Sequence, residues 1–240
     1  MHLILQLSKI STIVSCVAFL FVFLGESVFA KENLNNENIP HVEYTLEITD
    51  NDTGEKKALA VEDEDVKFTM IELDPNLTTF NKNFVIPSSM DIGDDERLYS
   101  GYVEIDVSDV LADEFGIQAI QPLSQSGDSS LTKNQVVIRA GLTFSTNASK
   151  NSIIIHRVNG STTSSGIYYV VRRNFYWRNP GSGRGAATAP TTNSWDYAVT
   201  DYWGTYSSSL RPYALLDTVI DVAGMSGGAE TLSVMYSVQP

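Results

Sequence analysis

The sequence predicts an all-β protein: an antiparallel β-sandwich of jelly-roll or immunoglobulin-like type, with an acidic N-terminal β region, preceded by a cleaved signal peptide. Three observations lead there. His41-Val42-Glu43-Tyr44-Thr45-Leu46-Glu47-Ile48 alternates apolar and polar residues with the period of a half-buried strand. Similar short segments recur along the chain between turns rich in Gly, Asn and Ser, as in sandwiches and barrels. No heptad pattern or internal repeat competes with this reading.

At the start of the chain, Lys9 precedes a 15-residue apolar run from Ile10 to Leu24, and Val28-Phe29-Ala30 supplies a cleavage site of A-x-A type. The run is shorter than the ~20 residues a membrane span needs. Lipid attachment at Cys16, the sole cysteine, would leave apolar residues 17–24 directly behind the anchor, so Cys16 is expected to leave with the signal. The 210 residues after Ala30 then hold no cysteine. That excludes disulfides, metal thiolates and a cysteine nucleophile, and it points to a bacterial source and secretion to the exterior.

Charge divides the chain beyond Ala30. Residues 31–117 hold 6 basic and 22 acidic side chains, whereas 118–240 hold 9 basic and 6 acidic. The expected organisation is a signal peptide at 1–30, an acidic β region at 31–120, a polar linker at 121–134 and an aromatic-rich sandwich at 135–240. The overall charge of −13 disfavours nucleic acid and anionic membranes as partners.

Strands are expected at 41–48, 57–61, 66–73, 98–107, 136–146, 152–158, 167–177, 195–200, 215–222 and 231–238. The first two form a hairpin about the Asp50-Asn51-Asp52-Thr53-Gly54 turn. A short helix is expected at 108–115, capped by Ser108, with Asp109 in its first turn. Segments 121–134 and 179–193 read as long loops. Along 167–177 the odd positions, Ile167, Tyr169, Val171, Phe175 and Trp177, form the buried face, interrupted by Arg173. Tyr168, Arg172, Tyr176 and Arg178 form the amphipathic one.

Three catalytic-looking patterns reduce to turns or fragments. Gly224-Met225-Ser226-Gly227-Gly228 has the letters of a nucleophile elbow, but no histidine follows it. Asp52-Thr53-Gly54 occurs once, without the second aspartate that an acid-protease dyad needs. Asp50-x-Asp52-x-Gly54 lacks the distal glutamate of a calcium loop. No cofactor and no metal is expected.

Two resemblances add expectations. Glu104-Ile105-Asp106-Val107-Ser108-Asp109 resembles the E-I-D-x-x-E core of jelly-roll glycoside hydrolases of the laminarinase and lichenase type. This implies Glu104 as nucleophile, Asp106 as its tuning partner and Asp109 in place of the acid/base glutamate. The order of signal, acidic strands and polar linker, then Ala140-Gly141-Leu142-Thr143-Phe144 and Ile153-Ile154-Ile155-His156-Arg157-Val158 with an Asn159-Gly160 turn, resembles small exported β-sandwich proteins of Gram-positive bacteria. That resemblance implies a fold and no site.

The strongest functional signal is aromatic: 11 of the residues between Tyr168 and Tyr213 are Tyr, Phe or Trp, including every tryptophan of the chain. Exposed aromatic faces bind sugar rings or protein partners. The expected role is therefore non-enzymatic binding of a glycan or cell-surface partner through Trp195, Tyr197, Tyr202, Trp203, Tyr176 and Arg172, with glycoside hydrolysis as the alternative. A pore-forming rearrangement of 135–149 is a third class that no residue selects. The sequence does not show the oligomeric state.

Overall fold

A computed structural model describes residues 40–74, 95–117, 134–225 and 228–239. The signal peptide, most of the expected linker and Ser226 of the elbow-like motif lie outside them.

The described residues form twelve strands and one α-helix in two open antiparallel sheets. In chain order these are β1 (His41–Asp50), β2 (Lys56–Ala58), β3 (Val66–Leu73), β4 (Glu96–Asp106), α1 (Ser108–Glu114), β5 (Gln135–Asn147), β6 (Ser152–Ser165), β7 (Tyr168–Asn179), β8 (Arg184–Thr188), β9 (Ser194–Ala198), β10 (Gly204–Thr205), β11 (Tyr213–Val222) and β12 (Glu230–Gln239). Sheet A runs β2-β1-β12-β11-β7-β8, and sheet B runs β10-β6-β5-β4-β3, with β9 also on the outer edge of β6. Each sheet takes strands from both sides of the 121–134 stretch: β1 pairs with β12 over ten residues, and β4 pairs with β5.

The alternation that marks β1 is realised directly. Tyr44, Leu46 and Ile48 are buried and form one core with Leu216, Val234 and Tyr236 of the same sheet and Phe144, Ile138 and Val158 of sheet B. At the end of β1, Asp50 Oδ1 accepts the N–H groups of Asp52 and Thr53 at 2.8 and 3.1 Å, and Gly54 takes a positive φ of 73°. Hydrogen bonds from Thr53 and Asp52 hold the Asp50 carboxyl below its ordinary range. The residues that looked like a protease or calcium motif thus close the β1–β2 hairpin.

Several expectations are corrected. Asn159-Gly160 is not a turn; β6 runs through both residues to Ser165. Gly160 stands opposite Trp195 of β9, where a built Cβ would lie 2.5 Å from the indole Cζ2. The glycine therefore makes room for a ring and bends nothing. Ser108 is not a side-chain cap: the N-cap is Val107, and the Ser108 hydroxyl donates to Asp106 and accepts Val136 N–H at 2.9 Å. Asp109 does sit in the first turn.

The 179–193 loop contains strand β8, which pairs with β7 from Phe175 to Asn179. On β7 the inward face changes at a bulge. Arg172 pairs with Val219 and Val170 with Ile220, so Val171 has no opposite residue on β11. Phe175 and Trp177 beyond the bulge are buried as expected, but before it Tyr168 is buried while Tyr169 and Val171 are 45% and 55% exposed. One extra residue moves the side chains on one side of it to the opposite face.

Tyr236 of β12 is fully buried, and its hydroxyl has no hydrogen-bond partner among the described residues. It occupies the space over Gly101 of β4, where a built Cβ would overlap it and lie 2.8 Å from Met70 Cε. Gly101→Ala is expected to cost about 2 kcal/mol by overpacking. Tyr236→Phe removes the unpaired hydroxyl and should stabilise by about 1 kcal/mol, and it should also relieve much of the Gly101→Ala penalty. Denaturant unfolding of both single variants and the double variant checks this; additive effects would exclude the proposed overlap.

Candidate functional site

β8 forms one edge of sheet A, and β9 lies on the outer edge of β6 in sheet B. Between these strands lies a cleft of about 200 Å³ lined by Val158, Trp177, Ala186, Ala187, Thr188, Tyr197 and Val199. Trp177, on the inward face of β7, is 7% exposed and forms an aromatic wall, and Tyr197, 38% exposed, forms the mouth. Trp195 and Tyr197 share the inward face of β9, so successive aromatic rings lead from the core to the opening.

This geometry separates the residues expected to act together. Trp195 is 6% exposed, seated over Gly160 and edge-on to Phe175 with ring centroids 5.5 Å apart. It belongs to the core, which corrects its expected exposed role. Tyr202 and Trp203 are 59% and 41% exposed on the segment between β9 and β10, and the Arg184 guanidinium lies 5.1 Å from the Tyr202 ring centroid. Tyr176 and Arg172 lie elsewhere, four residues apart on the outward face of sheet A, opposite Leu215 and Val219 respectively. The cleft residues Ala186, Ala187 and Thr188 escaped sequence reasoning because a Gly-Ala-Ala stretch carries no β-branched or aromatic signal. The only hint was the Pro180-Gly181-Ser182-Gly183 turn that precedes it.

A single carboxylate positions the exposed aromatic segment. Asp201 is 8% exposed. Its Oδ2 accepts Ile155 N–H and Asn179 Nδ2–H, both at 2.8 Å, and its Oδ1 accepts the Ser182 hydroxyl at 2.6 Å. It thereby ties the segment to β6, to the end of β7 and to the 180–183 turn. Beside it, Val199 N–H donates to the His156 carbonyl at 2.9 Å. The 180–183 turn also packs backbone to backbone on β10: a Cβ at Gly204 would lie 2.3 Å from Ser182 N.

His156 is the bulged residue of β6, for Thr143 pairs with Arg157 and Phe144 with Ile155. Its Nε2 lies 2.8 Å from Ser145 Oγ. Ser145 is completely buried, whereas His156 is partly exposed. Burial lowers the ring's pKa from 6.5 to about 4, against the opposing pull of Asp201.

Two carboxylates of the hydrolase-like motif, Glu104 and Asp106, share the outward face of β4, and Asp109 lies beyond the strand. Val103 and Ile105 point into the core, so Glu104 and Asp106 point outward. Glu104 stands in register with Lys67 and Arg139. Asp106 accepts from Ser108 N–H at 3.1 Å, from the Ser108 hydroxyl and from Gln135 Nε2–H at 2.7 Å. These bonds fasten the end of β4 to the start of α1 and to β5. The strand ends at Asp106, and Asp109 belongs to the helix. Among the described residues no group of three or more His, Cys, Asp or Glu side chains is placed to hold a metal ion.

The partly buried imidazole makes stability depend on pH. The unfolded ring titrates near 6.5 and the folded one near 4, so the unfolded state takes up the proton first. Its contribution is complete above pH 6.5 and is lost as pH falls from 6.5 to 4, reaching roughly 3 kcal/mol at most. Comparing urea unfolding of wild type and His156→Gln at steps between pH 7 and 4 separates the histidine from the carboxylates. A difference between the two that does not change over this interval would refute it.

No protein-family model, no curated protein and no solved structure matches this chain, so the geometry of the site is the ground for a functional reading.

Proposed function

We propose that the protein is an extracellular binding protein without catalytic activity, and that its recognition surface is the open edge of the sandwich. The observation that carries this reading is the apolar cleft between β8 and β9, with Trp177 and Tyr197 in its walls and Tyr202 and Trp203 exposed on a clamped segment. Preformed apolar concavities with aromatic walls are the usual form of ligand sites, and exposed Tyr and Trp are enriched where proteins meet.

The cleft, at about 200 Å³, is below the ~300 Å³ at which sites for drug-sized ligands begin. It accepts one side chain or one ring, with the rest of a partner lying across the surface beside it. Among its lining side chains only Thr188 and Tyr197 carry hydroxyls. So sparse a polar lining offers little to fix the hydroxyls of a sugar, and it supports an apolar side chain of a protein over a glycan as the occupant.

The purified chain is to be assayed by biolayer interferometry against immobilised surface glycans, cell-wall polymers and surface proteins. Tyr197→Ala and Ala187→Arg, with unchanged melting temperatures, are each expected to weaken the bound partner by about tenfold or more, the size of a hot-spot loss. Binding that is indifferent to both variants, or no binding to any member of the panel, overturns the reading.

A further inference from the structure

The free edge of β8 identifies the kind of partner that this surface fits. Among the described residues sheet A ends at β8, and all five residues of that strand are exposed. Alternate residues of an edge strand direct their N–H and C=O groups away from the sheet, where they await a partner. Natural edges are commonly blunted by charge, proline or a cover. At the opposite edge of the sheet, β2 carries Lys56 and Lys57, the latter paired with Glu114 at 2.7 Å. On sheet B the outer edge of β6 is occupied by β9, β10 and the Asp201 carboxylate between them. Within β8, by contrast, Gly185, Ala186 and Ala187 follow one another with neither charge nor proline.

Charge then selects among extended partners. Residues 135–213 hold eight basic side chains and two acidic ones in a chain whose net charge is −13. Both acids are engaged: Asp196 pairs with Arg157 at 2.9 Å, and Asp201 is the buried clamp. Arg184 begins β8, and Arg178 stands in register with Gly185, where a built Cβ would lie 3.3 Å from Arg178 Cγ. Glycine thus leaves the arginine stem room beside the edge strand. Neither arginine forms an ion pair among the described residues.

We propose that β8 accepts an extended, acidic segment of another protein as a seventh strand of sheet A, with one apolar side chain of that segment seated in the cleft. The proposal rests on the recognition surface described above and specifies its partner. Main-chain hydrogen bonds along β8 supply the general affinity, and the cleft selects the side chain at one position of the two-residue period. Arg178 and Arg184, on adjacent rungs at the start of β8, select a carboxylate on one side of it. A second copy of the chain fits less well, since antiparallel pairing of two β8 strands would bring two sets of arginines to one seam.

The test is fluorescence anisotropy with a dye-labelled peptide Glu-Thr-Thr-Leu-Thr-Thr-Glu, beside versions with Lys for both Glu or Asn for Leu. Saturable binding with Kd on the order of 10–100 μM is expected. Each peptide change, the double variant Arg178→Glu with Arg184→Glu, and Ala186→Lys should weaken it about tenfold or more, with melting temperatures unchanged. Amide exchange by NMR should show new protection confined to 184–188 and their neighbours on β7.

Equal binding of the acidic and basic peptides, binding without protection of β8, no binding, or self-association through β8 in sedimentation each overturns strand addition. If the peptide fails while a partner from the surface panel is still lost in Tyr197→Ala, strand addition falls and the recognition reading stands. If both fail, both fall.

Discussion

The ten-residue ladder between β1 and β12 joins the first described strand of the chain to the last, and sheet A is organised around it. β12 lies between β1 and β11, and β11 in turn holds β7 and, through it, β8. The inward residues of this ladder, Tyr44, Leu46 and Ile48 with Leu232, Val234 and Tyr236, supply much of sheet A's contribution to the core. Partners nearly 200 residues apart must therefore meet before the core closes, and such non-local pairing makes folding slow. The acidic outward face of β1 is carried into the structure by this pairing: Glu43 finds Arg211 at 2.7 Å, a contact between the two oppositely charged segments.

Where the sequence was legible, the reason was a clean two-residue period. β1, β3, β4, β11 and β12 fall within two residues of their expected bounds, and in β1 and β12 the core positions Tyr44, Leu46 and Ile48 and Leu232, Val234, Tyr236 and Val238 alternate throughout. Legibility failed at bulges. Val171 is an extra residue in β7, so one period cannot describe both ends of that strand, and Tyr169 emerges on the solvent side. It failed again at glycine, whose two uses, turning the chain and making space, look identical in one dimension. Gly160 makes space for Trp195, and the pairing that shows this comes from another strand. It failed a third time at β8, whose small side chains are chosen by an edge position and a neighbouring cleft.

The candidate site shows the same limit. Tyr197, Tyr202 and Trp203 were marked by their chemistry and are exposed, whereas Trp195, two residues from Tyr197 on the same face, is core. Distance from the open edge of the sandwich, a property of the fold, decides between them. The polar half of the site was almost invisible in advance: Asp201 lies 22 and 19 residues from Asn179 and Ser182, so no local pattern connects it with them. Their meeting depends on the β7–β8 hairpin turning back against β10.

Asp201 also determines when the aromatic segment is ordered. Its three bonds fix residues around 199–203 as part of folding. Ordering a loop at the moment of association commonly costs binding energy, with about 0.5–1.5 kcal/mol for each side chain immobilised. Here the backbone entropy of that segment is already spent when the chain folds. Any partner of this edge would thus dock onto a prepared surface, with affinity set by complementarity and little drawn off by reorganisation.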